Sequence, residues 1–286
     1  GNLVSLANYD YVSRAHNMGL EVWGLVENMT YDISTYQILS KMESREHLVE
    51  ELIQAALEYH LDGINVDIEA LSFDAEDPYI QFIRELSIKC RENGLVLSID
   101  NYVPTASSAH YNRKEQGIVA DYIVIMGYDE HYGGSPVAGS VSSYNYVKEG
   151  IEETLKEVPA EKIISGIPFF TRLWAETPKT EAELAEQQGT DAAEYSTNVS
   201  SEALTMTEAS YRLSQIGVEA TWDEATQQNF ATWEYEGTTY KIWLEDAQSI
   251  EPKLKLMKDN GLAGTAAWAI GQEDPEIWQL IQQYTN

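Results

Sequence analysis

The sequence predicts an α/β fold built of parallel βα units, and three observations carry that prediction. Apolar, strand-like runs alternate with amphipathic helical runs along the chain. The interval between the last two strand-like runs is too long for a single crossover, which predicts an insertion. One strand-like run carries a polar face of carboxylates and an amide, where a buried parallel strand is ordinarily apolar on both faces.

The alternation is direct. Strands are predicted at 21–26, 64–69, 96–102, 122–129, 162–169 and 265–270. Between them, apolar residues recur three or four apart: Leu48, Leu52, Ile53, Ala56 and Leu57; then Phe82, Ile83, Leu86 and Cys90; then Val147, Ile151 and Leu155. These are core faces of helices. A helix-like stretch, 9–18, precedes the first strand. Residues 170–264 are expected to hold an α+β subdomain, so that 1–169 and 265–286 form the main catalytic domain. Within the insertion a polar, Glu- and Thr-rich stretch (177–210) precedes two strand-like runs, 228–235 and 238–244, joined at Glu236-Gly237 as a hairpin. A helix over 249–260, ended by Gly261, leads back to the last strand.

Composition narrows the partners. The chain has 286 residues, 43% of them hydrophobic, ample for a sizeable core. Acidic residues number 47 against 18 Lys and Arg, a net charge of -29 that repels nucleic acid and anionic lipid and suits a neutral or locally cationic substrate. Seven Trp and eighteen Tyr supply flat rings suited to stacking on sugar faces, although most such rings belong to a core. Cys90 is the single cysteine, so no intrachain disulfide or cysteine metal site is possible. No run approaches the ~18 apolar residues of a membrane span, and no basic stretch followed by an apolar one marks a signal. If the natural protein is exported, its signal lies outside this chain. None of the five histidines has zincin or other ligand spacing, so neither a catalytic metal nor a cofactor is expected.

The most informative run is Asp62-Gly63-Ile64-Asn65-Val66-Asp67-Ile68-Glu69. Alternate side chains of a strand share a face, so Asn65, Asp67 and Glu69 point together, away from Ile64, Val66 and Ile68. Burying two carboxylates and an amide side by side is costly unless they bond to one another or do chemistry. The face reads as an active-site wall at the C-terminal end of a barrel strand. A buried polar network, or an oxygen-ligand site for magnesium or calcium, is the alternative for this strand taken alone.

Here the sequence resembles a known family. The run 62–69 is similar to the D-G-x-D-x-D-x-E signature of glycoside hydrolase family 18, the chitinase-like enzymes, with Asn65 where the middle Asp usually stands. Met126-Gly127-Tyr128-Asp129 resembles the M-x-Y-D that ends the sixth strand. Gly166-Ile167-Pro168-Phe169-Phe170 resembles the G-x-P-F-Y of the seventh, and 264–271 with Trp268 the eighth. The tail from Ile242-Trp243-Leu244-Glu245-Asp246 through Gly271-Gln272-Glu273 is similar to the bacterial spore-cortex-lytic branch, whose members are N-acetylglucosaminidases acting on peptidoglycan. The resemblance covers essentially the whole chain, with four motifs in order at barrel-strand spacing.

The resemblance implies a TIM-type (β/α)8 barrel and a retaining, substrate-assisted mechanism in which the sugar's own 2-acetamido oxygen attacks the anomeric carbon. Glu69 is then the general acid, Asp67 holds the acetamide N–H and raises the pKa of Glu69, and Tyr128 orients the acetyl oxygen. Met126 and Trp268 line the reacting sugar, Trp268 as an apolar floor; alone, Tyr128 reads equally as packing and Trp268 more often as packing. Asp129 either binds a sugar hydroxyl or caps the next loop. Asp100 and Tyr102 share a face with Ser98 and are further cleft-lining candidates. Arg172 and Trp174, just past the seventh strand, either contact substrate or lie in solvated loop. Asp62, of opposite parity to Asp67, is expected to be structural.

Two departures from the family pattern matter. Asn65 removes a carboxylate that could share a proton with Asp67; its amide is expected to donate to Asp67 instead. The strand end Val26-Glu27-Asn28 lacks the small S-x-G-G residues of chitinases, which favours the peptidoglycan branch over a long chitin groove. The expected substrate is a glycan containing N-acetylglucosamine, cleaved in bacterial cell wall by a secreted or spore-associated enzyme. A chitin or chito-oligosaccharide hydrolase and a catalytically silent sugar-binding module are the alternatives, and the oligomeric state is open. The run 21–26 resembles the family's third strand, so the barrel is expected to lack its first two strands in this chain. The natural protein is accordingly expected to carry further N-terminal residues or to fill the gap with another copy, because unpaired parallel edges are unfavourable.

Overall fold

The computed structural model describes residues 1–29 and 34–285. Six strands, β1 (Trp23–Glu27), β2 (Gly63–Asp67), β3 (Val96–Tyr102), β4 (Tyr122–Met126), β5 (Ile163–Pro168) and β11 (Gly264–Trp268), form one sheet in that order. Five more, β6 (Phe170–Pro178), β7 (Thr197–Thr205), β8 (Thr221–Asp223), β9 (Gln228–Tyr235) and β10 (Thr238–Trp243), form a second, ordered β7-β6-β10-β9-β8. Among the described residues β1 and β11 each have one neighbour in the first sheet. The chain divides into two compact units, Gly1–Ile125 with Glu153–Ile164, and Met126–Glu152 with Ser165–Asn286.

In the first unit β1, β2 and β3 pair in parallel, with Leu25 opposite Asn65 and Asn65 opposite Ser98. Helices α1 (Tyr9–Asn17), α2 (Thr35–Leu39), α3 (Met42–Glu58), α4 (Glu76–Asn93) and α5 (Arg113–Val119) connect and cover them. The expected helical stripes are buried: Leu52, Ile53 and Ala56 on α3, and Phe82, Ile83, Leu86 and Cys90 on α4. Leu57, counted in the α3 stripe, is instead 48% exposed, one step off the apolar face. Burial pushes the Cys90 thiol up to about 12, with the charge of Asp121 adding to it. Gly94 ends α4 in the left-handed region at φ 68°, which costs a glycine little.

Gly63 is required for another reason. A Cβ there would lie 2.7 Å from the Val96 carbonyl oxygen and 2.9 Å from the Trp23 ring, which stacks on Tyr122 at 5.6 Å and 16°. Next to it, Asp62 accepts from the Val22 N–H at 2.7 Å and lies 2.8 Å from His16 Nε2, the structural role its parity predicts.

In the second unit the antiparallel sheet buries Leu173, Leu204, Ala231 and Ile242 against Ala209 and Leu213 of α8 (Met206–Ile216). The hairpin is confirmed: Glu236 and Gly237 both have positive φ (48° and 78°), the turn that matches strand twist. The polar 177–210 stretch also holds regular structure. It ends β6 and contains α7 (Glu181–Glu186) and β7, a sheet-edge strand with Ser200, Glu202 and Ala203 exposed, so no apolar alternation betrays it. A separate core joins Ile167, Phe169 and Met206 to Ile250 and Leu254 of α9 (Ala247–Asp259) and Ile277 and Ile281 of α10 (Ile277–Thr285). Helix α6 (Tyr144–Thr154) precedes β5.

Candidate active site

Strand β2 stops at Asp67, two residues earlier than expected, so Glu69 lies beyond the ladder rather than in it. Its backbone is held all the same. The Asn28 side chain accepts from the Glu69 N–H at 2.9 Å and donates to the Glu69 carbonyl at 2.8 Å, an amide clamp that stands in for strand pairing past the ends of β1 and β2. The chain then turns at Ala70, φ 47°. The Glu69 carboxylate accepts from Tyr102 Oη at 2.7 Å, and that hydroxyl accepts in turn from the Ala70 N–H at 3.3 Å. Tyr111 packs edge-on against Tyr102 and accepts from the Leu71 N–H at 3.0 Å.

On the same face, Glu27 pairs with Asp67 across β1 and β2. Asp67 is half-buried and its buried Oδ1 has no hydrogen-bond partner among the described residues. Burial, then the charges of Glu69 and Glu27, push Asp67 up to about 6. Asp100, one same-face position beyond Ser98 on β3, is pushed up to about 7 by burial and by the charges of Asp67 and Glu69, against the lowering pull of a hydrogen bond from Asn65. That bond corrects one expectation. Asn65 donates at 2.8 Å to Asp100 and at 2.9 Å to Ser98 Oγ, not to Asp67, because its short side chain reaches the paired strand rather than the next same-face residue along its own strand. Asn65, Asp67, Glu69, Asp100 and Tyr102 are thus brought together, and the sequence reading missed Asn28, Glu27 and Tyr111. Glu27 joins this face only through the register of β1 against β2, which neither strand's own pattern shows. Among the described residues no three His, Cys, Asp or Glu side chains are grouped as a metal cage.

The other candidates lie in the second unit. Met126, buried, ends β4, so Tyr128 and Asp129 lie past the strand instead of within it; Asp129, exposed and at φ 58°, has left a backbone that could extend a ladder. The Tyr128 ring meets Phe170 edge-on at 6.1 Å. Arg172 is on β6, not in a loop: Nη1 donates to Ser201 Oγ at 3.0 Å, and Nε is buried with no partner among the described residues. Trp174 is core, fully buried with its N–H donated to the Gly139 carbonyl at 2.8 Å, so it is no substrate contact. Trp268 ends β11, 48% exposed.

Residues 8–273 match the sequence model of the Glycosyl hydrolases family 18. The chain belongs to glycosyl hydrolase family 18. The family 18 chain is 27% identical over 270 residues to the cortical fragment-lytic enzyme of Bacillus subtilis (strain 168), covering 91% of this chain and 58% of the relative. It therefore spans less than two thirds of the length of that enzyme. Among solved structures it is similar to the spore cortex-lytic enzyme SleL of Bacillus megaterium QM B1551, with TM-score 0.81, 23% identity, and 97% and 62% of the two chains covered. It is also similar to a chitinase of Chromobacterium violaceum ATCC 12472, with TM-score 0.82, 22% identity, and 99% and 86% covered. These likenesses make the fold that of TIM-barrel glycosidases. Among the described residues, no helix is long and apolar enough to cross a membrane.

Proposed function

We propose that this chain is a retaining, substrate-assisted glycosidase that cleaves β-linked N-acetylglucosamine in cortex-type peptidoglycan, as a secreted or spore-associated bacterial protein. One observation carries the reading: Glu69, held through its backbone by Asn28 and through its carboxylate by Tyr102, stands beside Asp67, whose buried Oδ1 has no donor among the described residues. An acetamide N–H is a donor of the right kind. In the first step Glu69 gives its proton to the glycosidic oxygen while the acetamide oxygen bonds to the anomeric carbon, and the aglycone leaves. The Asp67 carboxylate accepts the acetamide N–H and stabilises the oxazolinium cation. In the second step Glu69 takes a proton from water, whose oxygen bonds to the anomeric carbon and reopens the ring with retention. Tyr128 keeps the role that the family resemblance implies, a hydrogen bond to the acetyl oxygen. The choice of peptidoglycan rests on likeness to the cortical fragment-lytic enzyme.

The test has two arms. Glu69→Gln preserves shape but not acidity, and is expected to bind glycan while losing nearly all single-turnover cleavage; near-wild-type cleavage would move the acid elsewhere. Mass spectrometry of products from peptidoglycan and chitin oligomers, side by side, is expected to show N-acetylglucosaminyl cleavage of peptidoglycan. Faster chitin cleavage would assign a chitinase, and binding without cleavage of either would assign a sugar-binding module.

A further inference from the structure

Tyr128 lies two residues past the end of β4, so contacts outside that strand must fix the backbone that aims its side chain. The residue before it is held on both sides. Gly127 donates its N–H to the Gly166 carbonyl of β5 at 3.2 Å, and a Cβ at 127 would lie 2.7 Å from that same oxygen. The Gly127 carbonyl, which belongs to the peptide joining Gly127 to Tyr128, accepts from Ser142 Oγ at 2.6 Å. A peptide group is planar, so fixing its oxygen fixes the direction in which the Tyr128 Cα leaves it.

The proton of Ser142 has one direction open. Lys253 Nζ donates to the same Oγ at 3.0 Å, and an ammonium has no lone pair with which to accept a hydrogen bond, so the hydroxyl proton goes to Gly127. The Ser142 backbone is held as well, its N–H donating to Ser140 Oγ at 2.9 Å. Around it, 139–143 runs beside 127–131. The Glu130 N–H donates to the Val141 carbonyl at 3.0 Å, and the Glu130 carboxylate accepts from the Ser143 N–H at 2.8 Å. The His131 ring covers Gly139, where any Cβ would run into it, and the Gly139 carbonyl accepts from the buried Trp174. From α6, the Tyr146 hydroxyl reaches the carbonyl of Tyr128 itself at 3.5 Å.

We infer that Ser142 is the positioning residue of Tyr128: with its proton directed by Lys253, it locks the peptide before Tyr128 and so aims the phenol at the acetyl oxygen. The inference rests on the proposed role of Tyr128. Ser142 is fully buried and therefore reaches the reaction through the residue it aims.

A double-mutant cycle in the whole chain tests it, with kcat and KM measured on an N-acetylglucosaminyl substrate for Ser142→Ala, Tyr128→Phe and the pair. A misplacement of ~1 Å can cost up to about a hundred-fold in rate, so Ser142→Ala is expected to lower kcat by about ten-fold or more with KM little changed. Tyr128→Phe should lower it at least as far. In the Tyr128→Phe background, Ser142→Ala should change kcat by less than about two-fold, because the hydroxyl it aims is gone. A merely structural role would cost the same in both backgrounds. Additive losses, or near-wild-type kcat in Ser142→Ala, would overturn the inference while leaving the role of Tyr128 intact; wild-type kcat in Tyr128→Phe would instead refute that role and the inference with it. Should Ser142→Ala fail to fold, Ser142→Cys, close in size and a weaker donor, goes through the same cycle, and its smaller loss is likewise expected to vanish in Tyr128→Phe.

Discussion

Among the described residues the Glu69 carboxylate is held by the Tyr102 phenol, and removing that donor should cost rate rather than binding. A hydrogen bond to a charged group is worth ~1.5–3 kcal/mol, and each ~1.4 kcal/mol is a factor of ten. Tyr102→Phe is therefore expected to lower kcat by about ten-fold or more with KM little changed; steady-state kinetics on an N-acetylglucosaminyl substrate checks this. Asp67→Asn should depress kcat by roughly 10²–10³, and by more than Asn65→Ala, because only Asp67 places charge beside the cation. A larger loss at Asn65 would reverse the inner pair. At this scale the sequence was most legible where period two governs: parity alone put Asn65, Asp67 and Glu69 together, and likewise Ser98, Asp100 and Tyr102. What it could not give is sideways reach. Register between β1, β2 and β3 decides that Asn28 meets Glu69 and that Asn65 meets Asp100, and register is a property of two strands, absent from either one.

Between residue and fold, the segment that carries Tyr128 is tied down by a buried cation. Lys253 on α9 donates to Glu245 at 2.8 Å and to Ser142 Oγ at 3.0 Å, and Ser142 donates to the Gly127 carbonyl at 2.6 Å. Gln228 on β9 donates to the other Glu245 oxygen at 2.7 Å. Lys253 and Glu245 are fully buried, and burial pushes Glu245 up against the lowering pull of Lys253. Breaking such a pair leaves a buried charge, so Lys253→Met should destabilise by about 3–5 kcal/mol, whereas the pairwise change Lys253→Met with Glu245→Gln should cost markedly less. Denaturant unfolding of the two variants decides it; equal losses would mean that packing, not charge, is at stake. Elements were legible in proportion to their local chemistry. Glu236-Gly237 announced its turn, but β7 hid in a run of Thr, Ser and Glu because an edge strand with a wet face needs no apolar pattern.

For the whole molecule, a net charge of -29 makes self-repulsion a standing cost, so thermal stability at neutral pH should rise with added salt. The two raised aspartates act in the same sense. Asp67 and Asp100 hold protons in the folded state at pH values where the unfolded chain has released them, from about 4 up to about 6 and about 7. Their contribution to stability is therefore present below the unfolded value and is lost as pH rises through that window. Unfolding midpoints at about pH 5 and about pH 8 check this: Asp100→Asn should narrow the difference, and a wider difference would reverse the sign. The buried Cys90 offers a way to watch one helix. With the thiol shielded and its thiolate scarce, an alkylating reagent can modify the native chain only when α4 lifts from its neighbours, so the labelling rate counts those openings. A lone cysteine is thus a clock for the motions of one helix.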